Sequence, residues 1–593
     1  MKDFLKFTLA TITGIILISV VFFIVSMASF FSIASSSSKE VIVPKNSIMT
    51  LDLSGVLVER SEENLQSLLS SFNGQGMGTY GLDDILSSIQ KAKEMDNIKG
   101  IYLKAGYLGA SPASLQAIRR ALTEFKESGK FIVAYGDNYT QGMYYLASVA
   151  DKVMLNPKGA VEWKGVGSNI IFFKDLLDKL GVEMQIFKVG TYKSAVEPYI
   201  SNEMSTANRE QVTAYCNSIW GQMVNEVSVS RHLSAAELNS IADKMMAFQP
   251  ATKSVEYGLA DTLIYQNDVR DYLKQYVDVD KDDDLSTVSL AEMCNVNKST
   301  PKDKSGNIVA VYYAFGGIVD MANNMSGDPS IVGDKVIQDL RELKEDEDVK
   351  AVVLRVNSPG GSAYASEQIW KAVKDLKAEK PVIVSMGDYA ASGGYYISSI
   401  ADTIVAEPTT LTGSIGIFGM VPNAKQLADK LGVHTDVVKT NKFSDFGNLM
   451  RPFTAEEKAI MQNMVNEGYE TFVGRCSEGR NMTTDEIKAI AEGRVWTGEM
   501  ALKLGLVDVL GGLDTALDIA VKKAGVENYT LVSYPAKKSF LDIVMNAGNI
   551  GNYVESQIMK NKLGNFYEEF KFIEEIGNTS ILQARMPYDL NIR

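Results

Sequence analysis

The sequence is short of the side chains that metal and thiol chemistry need. Among its 593 residues are two histidines, His232 and His434, and three cysteines, Cys216, Cys294 and Cys476. The cysteines lie far apart, form no Cys-x-x-Cys pair and cannot all pair within one chain. A His/Cys metal centre therefore has almost no material, and neither metal nor cofactor is expected. Basic blocks are missing too. The net charge is −14, and nucleic-acid binding rests on Lys and Arg neutralising phosphates, so no nucleic-acid partner is expected. Both histidines read as structural: His434 falls in a strand pattern, and His232, in "SRHLSAAEL", reads as helix-start material.

Charge is also absent from one long stretch. After Lys2 and Lys6, residues 7–38 ("FTLATITGIILISVVFFIVSMASFFSIASSSS") carry none. A bilayer core needs about 20 apolar residues, whereas a signal peptide has an apolar region of about 7–15. Residues 1–40 are therefore expected to be an uncleaved membrane anchor, with the small residues of "SMASFFSIASS" leaving cleavage open. The lysines before the run put the N-terminus in the cytoplasm and the rest of the chain on the far side.

What the chain has in quantity is apolar residues, 46% of the total, enough for two or more cores. They recur. Residues 81–186 laid over 332–437, an offset of 251, align "GKFIVAYGDNYTQGMYYLASVADKVMLNP" with "EKPVIVSMGDYAASGGYYISSIADTIVAEP". The chain is two copies of one domain, expected at 41–279 and 308–534, joined by a polar linker at 280–307 and followed by a tail at 535–593 whose apolar spacing suits an amphipathic helix. In the second copy, "AVVLRV", "PVIVSM", "TIVAE" and "TDVVK" read as strands, with "SEQIWKAVKDLK", "SGGYYISSIAD" and "NAKQLADKL" as helices. Continuous apolar strands alternating with helices define an α/β fold with a mostly parallel sheet.

Sites in such sheets lie at the carboxyl ends of strands, and two loops of the second copy stand there. "NSPGGSAYA" contains Gly360 and Gly361, which let a backbone approach a ligand closely. "GDYAASGGYY" sets Ser392 among Ala390, Ala391, Gly393 and Gly394. On local context alone a helix N-cap explains such a serine better than a nucleophile does. The repeat favours the nucleophile: the first copy keeps the frame (Gly136, Asp137, Gly142, Tyr144, Tyr145) but has Gln141 in place of the serine. A cap needed for folding belongs in both copies. A nucleophile needed once does not.

A serine needs a base, and with no histidine suited to the task a lysine is the alternative. The first copy has "FKVGTYKSAVEPY", in which Lys193 falls where the second copy has Ser444. Each copy lacks what the other has, as a dyad split between them would require. An ordinary amine with a pKa near 10.4 is neutral in about one molecule in 2,500 at pH 7. A base with a pKa of about 7–8 needs its ammonium destabilised by about 3–5 kcal/mol, so Lys193 must be desolvated. Ser414, in "LTGSIGIFG", is a candidate to orient its amine, with a plain turn serine as the alternative.

Together "NSPGGS", "YAASGGYYIS", "LTGSIGIFG" and "VGTYKSAVEPY" resemble the long-form bacterial signal peptide peptidases of the protease IV type, over nearly the whole chain. The resemblance implies tandem crotonase/Clp-protease-like domains, a bowl-shaped homo-oligomer (a tetramer), and a location in the bacterial inner membrane with the catalytic part on the periplasmic side. It implies hydrolysis of apolar signal peptides left after precursor cleavage. It assigns Ser392 as nucleophile, Lys193 as general base, Ser414 as the residue orienting the lysine, and the amides of Gly361 and Gly393 as the oxyanion hole. Two other readings stand beside it: a crotonase-type enzyme acting on coenzyme A thioesters, and a non-enzymatic membrane scaffold.

Overall fold

A computed structural model describes residues 41–61, 78–277, 279–280, 282–296, 305–321, 329–537 and 582–586, with scattered positions before residue 23 and at 562. Each copy builds one mainly parallel sheet. In the first, the order is Gly78–Gly81, Ser47–Val58, Ile98–Gly109, Phe131–Gly136, Lys152–Leu155, Thr262–Leu263, with Thr287–Ser289 also pairing with Ser47–Val58. In the second, Thr530–Tyr534, Ile308–Phe315, Val349–Ser358 and Val382–Ala391 lie side by side. There the sheet forks. The start of Val382–Ala391 pairs with Thr403–Ala406, and its end pairs with Leu411–Gly413.

The central strands are mainly apolar because both faces are covered. Helix Ala363–Lys377 buries Ile369, Trp370, Val373 and Leu376 against one face of the second sheet. Helix Leu513–Ala524 buries Ala516 and Ala520 against the other. Burial of side chains of this size stabilises by roughly 1.5–3 kcal/mol each for the larger ones.

Several expectations change. The stretch 280–307, read as a linker, carries the strand Thr287–Ser289 and the helix Leu290–Cys294, with Leu285, Val288, Leu290, Met293 and Val296 buried. Thr287–Ser289 pairs with the first strand of its copy as Thr530–Tyr534 does in the second. Elements this short show no periodicity among polar neighbours. "TDVVK", 435–439, forms no strand and is exposed. His434 is exposed beside it, and His232 ends a helix instead of starting one: it caps Thr206–Arg231 in the left-handed conformation (φ 55°), as Asn481 (φ 53°) does for Ala455–Arg480. Most of the tail lies outside the described residues, but Leu582–Arg585 is a strand, not a helix. Its pairing partners, distant in sequence, determine this. Residues 1–40 also lie largely outside the described set. Among the described residues no helix is long and apolar enough to cross a membrane.

The two copies are bound together by a third sheet drawn from both. Its order is Ser330–Val332, Gly317–Val319, Gly360–Ser362, Leu582–Arg585, Phe418–Asn423, Glu183–Lys188. Polar contacts add to the joint. Buried Arg355 pairs with Glu59 at 2.5 Å, Arg120 with Glu407 at 2.5 Å, and the Gln116 amide oxygen accepts from Thr409 Oγ1 at 2.9 Å.

Candidate active site

The end of Val382–Ala391 delivers Ser392 to the joint between the copies. Ser392 precedes helix Gly393–Ser398 with φ 53° and ψ −111°, a backbone conformation that costs a non-glycine residue about 1–3 kcal/mol. It holds the N-cap position, yet its side chain makes no cap hydrogen bond. Its N–H donates to Gly413 O at 2.8 Å, and its carbonyl accepts from Tyr396 N at 2.8 Å. The hydroxyl is thus free of helix capping and points elsewhere.

It meets a lysine from the other copy. Lys193 Nζ lies 2.8 Å from Ser392 Oγ, 3.0 Å from Ser414 Oγ and 3.0 Å from Ser414 O. Lys193, Ser392 and Ser414 are all fully buried. The lysine arrives in a turn after strand Glu183–Lys188, and that turn lies on the second copy. Tyr192 N–H donates to Glu492 O at 2.9 Å. A Cβ at Gly190 (φ +101°) would fall 2.4 Å from Glu492 O, so only glycine permits this approach. Ser414 is fixed by its own N–H donating to Arg494 O at 2.7 Å.

Burial pushes the Lys193 amine well below the usual lysine range, with no other charge contributing. A neutral amine has two N–H donors and one lone pair. Both hydrogens can go to Ser414 O and Oγ, and the lone pair can then accept the Ser392 proton, so every group is satisfied without a counter-charge.

The loop that holds Gly360 and Gly361 packs against Gly393. A Cβ at Gly360 (φ +100°) would lie 2.7 Å from Gly393 N, so the two glycine-bearing loops are in van der Waals contact. The first N–H groups of helix Gly393–Ser398 have no intrahelical acceptor and carry the positive end of its local dipoles. The structure thus brings Ser392, Lys193 and Ser414 into contact, with Gly393 following Ser392 and the loop of Gly360 and Gly361 packed against it.

Other residues of the site escaped sequence reasoning. A Cβ at Gly493 (φ +78°) would lie 2.6 Å from Lys193 Cβ, so this glycine walls the lysine. Gln211 Nε2 donates to Tyr192 O and Ser194 Oγ, both at 3.0 Å, while its Oε1 accepts from Val495 N at 3.1 Å. It latches the lysine turn to the second copy. Asp388, four residues before Ser392, accepts from Ser114 N (2.9 Å) and Ser114 Oγ (2.8 Å) at the start of first-copy helix Pro112–Glu127. Gly493 and Gln211 carry no sequence signal, because each acts through a contact between copies, whereas Asp388 is marked by its counterpart Asp137 in the repeat.

A buried serine hydroxyl 2.8 Å from a buried lysine amine is an arrangement that serine-type hydrolases can use. Comparison with known proteins agrees. The model of peptidase family S49 matches residues 124–280 and 374–527, and that of Clp protease matches 326–407. Protease 4 of Salmonella typhi is 38% identical over 84% of this chain and 82% of its own length. Protease 4 of Haemophilus influenzae is 35% identical over 88% of this chain and 86% of its own. A putative signal peptide peptidase of Enterococcus faecium is 38% identical over 33% of this chain and 57% of its own. The chain belongs to peptidase family S49 and is a serine protease. The scaffold and thioester readings fall with that assignment.

Proposed function

We propose that the protein is a membrane-anchored endopeptidase that degrades cleaved signal peptides through a Ser392/Lys193 dyad. The observation that carries this reading is the 2.8 Å approach of the Lys193 amine to the Ser392 hydroxyl in a fully buried pocket. Neutral Lys193 takes the Ser392 proton as its oxygen attacks a peptide carbonyl. The amides of Gly361 and Gly393 stabilise the oxyanion; one lost donor of this kind typically costs about 10²–10³ in rate. Lys193 then protonates the leaving amine, and water hydrolyses the ester with Lys193 again as base. Ser414 orients the amine throughout.

The anchor rests on the charge-free run 7–38 behind Lys2 and Lys6. It puts the catalytic copies on the periplasmic side of a bacterial inner membrane. A signal-peptide substrate matches the family resemblance and the name of the Enterococcus relative. The oligomer rests on the repeat. Glu183–Lys188 pairs antiparallel with Phe418–Asn423 within the chain. At the offset of 251 their equivalents are 434–439 and 167–172. The former is exposed, with Val438 95% accessible. The same joint made between the second copy of one chain and the first copy of the next would be head-to-tail, the kind of interface that builds a ring when its rotation closes, with a tetramer expected from the family resemblance.

The test is direct. Ser392→Ala and Lys193→Ala should each abolish peptide cleavage while far-UV circular dichroism is unchanged, and a serine-reactive phosphonate should label Ser392. Wild-type turnover by Lys193→Ala would overturn the dyad.

A further inference from the structure

The dyad joins side chains from different copies. Its geometry therefore depends on how firmly the strand carrying Ser392 is held to the copy carrying Lys193. One first-copy helix takes part in that hold, and its start is capped in an unusual way. Helix Pro112–Glu127 has Ser111 in the N-cap position, but that side chain makes no cap hydrogen bond. The equivalent helix of the second copy, Ala363–Lys377, is capped by its own Ser362, whose hydroxyl accepts from Ala365 N–H at 3.2 Å. Ser111 and Ser362 are counterparts at the offset of 251, as are Ser114 and Ala365.

The cap of the first-copy helix comes from the other copy. Asp388 Oδ1 accepts from Ser114 N–H at 2.9 Å and from the Ser114 hydroxyl at 2.8 Å. The first N–H groups of a helix have no intrahelical acceptor, and the dipole end there favours an anion. A carboxylate that meets two donors at this place makes charge-assisted bonds, stronger than a neutral hydroxyl would make. Asp137, the counterpart of Asp388, is exposed and stays within its own copy, accepting from Tyr135 OH at 2.6 Å and Asn156 Nδ2 at 2.8 Å. Only in the copy that carries the nucleophile does this carboxylate reach across the joint.

Neighbouring groups hold the same strand. Asn357 Nδ2 donates to Glu59 Oε2 at 2.8 Å and to Asp388 Oδ2 at 3.4 Å, while its Oδ1 accepts from Tyr389 N–H at 3.1 Å. Arg355, paired with Glu59, donates to Ser385 Oγ at 3.0 Å and Met386 O at 2.8 Å. The helix makes a second hold through Gln116, whose Oε1 accepts from Thr409 N–H at 3.2 Å as well as from its hydroxyl. Thr409 leads into Leu411–Gly413, and Gly413 O accepts the Ser392 N–H. Both strands that meet at Ser392 are thus tied to the start of one first-copy helix.

We propose that Asp388 is a positioning residue, which caps helix Pro112–Glu127 across the joint and so holds the Ser392 hydroxyl within reach of the Lys193 amine. This rests on the Ser392/Lys193 reading. Asp388 acts through the strand that ends in Ser392. Its loss should therefore slow the proton transfer from Ser392 to Lys193 and leave peptide binding alone.

The test compares full-length Asp388→Ala, Asp388→Asn, Ser114→Ala and the double variant Ser114→Ala/Asp388→Ala with wild type. Hydrolysis of a fluorogenic peptide is measured, and active sites are counted by phosphonate labelling and intact mass. Asp388→Ala should lower kcat per labelled site about 100-fold, the cost of a misplacement of about 1 Å, with KM within about twofold of wild type. It should label more slowly but reach the wild-type amount of label per chain. Asp388→Asn keeps an oxygen that accepts from Ser114 and should recover at least about tenfold of that loss. Ser114→Ala should lower kcat per labelled site by about tenfold. The double variant should be no slower than Asp388→Ala, because the two residues act as a unit. Wild-type kcat per labelled site in Asp388→Ala would overturn the proposal and leave the dyad standing. So would a loss of label per chain that accounts for the whole drop in activity, Asp388→Asn as slow as Asp388→Ala, or a double variant whose loss is the product of the two single losses. If Asp388→Ala does not fold, wild-type kcat per labelled site in Ser114→Ala overturns the proposal by itself. Peptide cleavage by Ser392→Ala at the wild-type rate would instead sink the dyad reading.

Discussion

The turn at residues 137–143 and the turn at 388–394 descend from the same stretch of the repeat and have become different devices. In the first copy the strand stops at Gly136, and Thr140, in a relaxed extended conformation (φ −65°, ψ 158°), accepts from Met143 N–H as an ordinary N-cap. In the second copy the strand runs on to Ala391, and the residue before the helix is Ser392, twisted to φ 53° with no capping bond. The extension has a cause. Tyr389, Ala390 and Ala391 pair with Leu411–Gly413, which pairs in turn with Val495–Thr497. The first copy has only the isolated bridge Tyr139–Val161 at this place. A supported strand end can hold a strained residue, whereas an unsupported one relaxes into a cap. One copy thus keeps the fold's local optimum, and the other gives it up to aim a hydroxyl at Lys193.

The largest effect should come from trying to exchange the two devices. Ser392→Ala should lower peptide turnover by at least about 10⁴-fold. Adding Gln141→Ser in that background should restore nothing, because the first-copy turn lacks the strand extension. Gln141 instead holds its own loop, accepting from Lys164 N at 2.9 Å and Gly165 N at 3.0 Å. Recovery of even a few per cent of wild-type turnover would show that the turns are interchangeable.

A smaller and more diagnostic effect belongs to Ser414. Activity should rise with pH as Lys193 loses its proton, with the acid limb below the ordinary lysine range because burial lowers that amine. A hydroxyl accepting from the amine favours its charged form. Ser414→Ala should therefore reduce turnover by about 10²-fold through misplacement and move the acid limb to lower pH. A purely structural role would reduce the rate and leave the limb in place. The folding linkage has a fixed sign. Since the folded amine holds its proton less tightly than the unfolded one, the unfolded chain binds more protons across that interval, and stability rises with pH up to the ordinary lysine value. Lys193→Met should flatten that slope, as a denaturant titration at several pH values would reveal.

How much of this was legible in the sequence follows from where each signal lives. The parallel sheets could be read because Val349–Ser358 and Val382–Ala391 carry apolar runs, Ala351–Leu354 and Val382–Val384, at their centres or starts. Ser392 and Lys193 could be read because the repeat supplied a control: each has a counterpart, Gln141 and Ser444, that cannot do its job. The strand Leu582–Arg585 could not be read, since four residues acquire their conformation only from the two strand edges they join. Gly493 and Gln211 were equally silent, because their meaning is a distance to a turn some 300 residues away for the first and a shared latch to Val495 for the second. The strand Thr287–Ser289 was hidden in polar sequence, and only Val288 among its three residues is buried.

The smallest effect separates capping from catalysis most cleanly. Replacing a good N-cap residue by alanine costs about 0.5–2 kcal/mol. Thr140→Ala should incur such a loss locally, read as faster amide exchange at Met143, whose N–H lies 3.3 Å from the Thr140 hydroxyl, with peptide turnover unchanged. Ser392→Ala should show the opposite: turnover lost, and exchange at the start of helix Gly393–Ser398 unchanged, since no N–H there is capped by that side chain. If exchange at that helix start quickened in Ser392→Ala as it does at Met143 in Thr140→Ala, the serine would be a cap after all. The asymmetry between the copies would then need another cause.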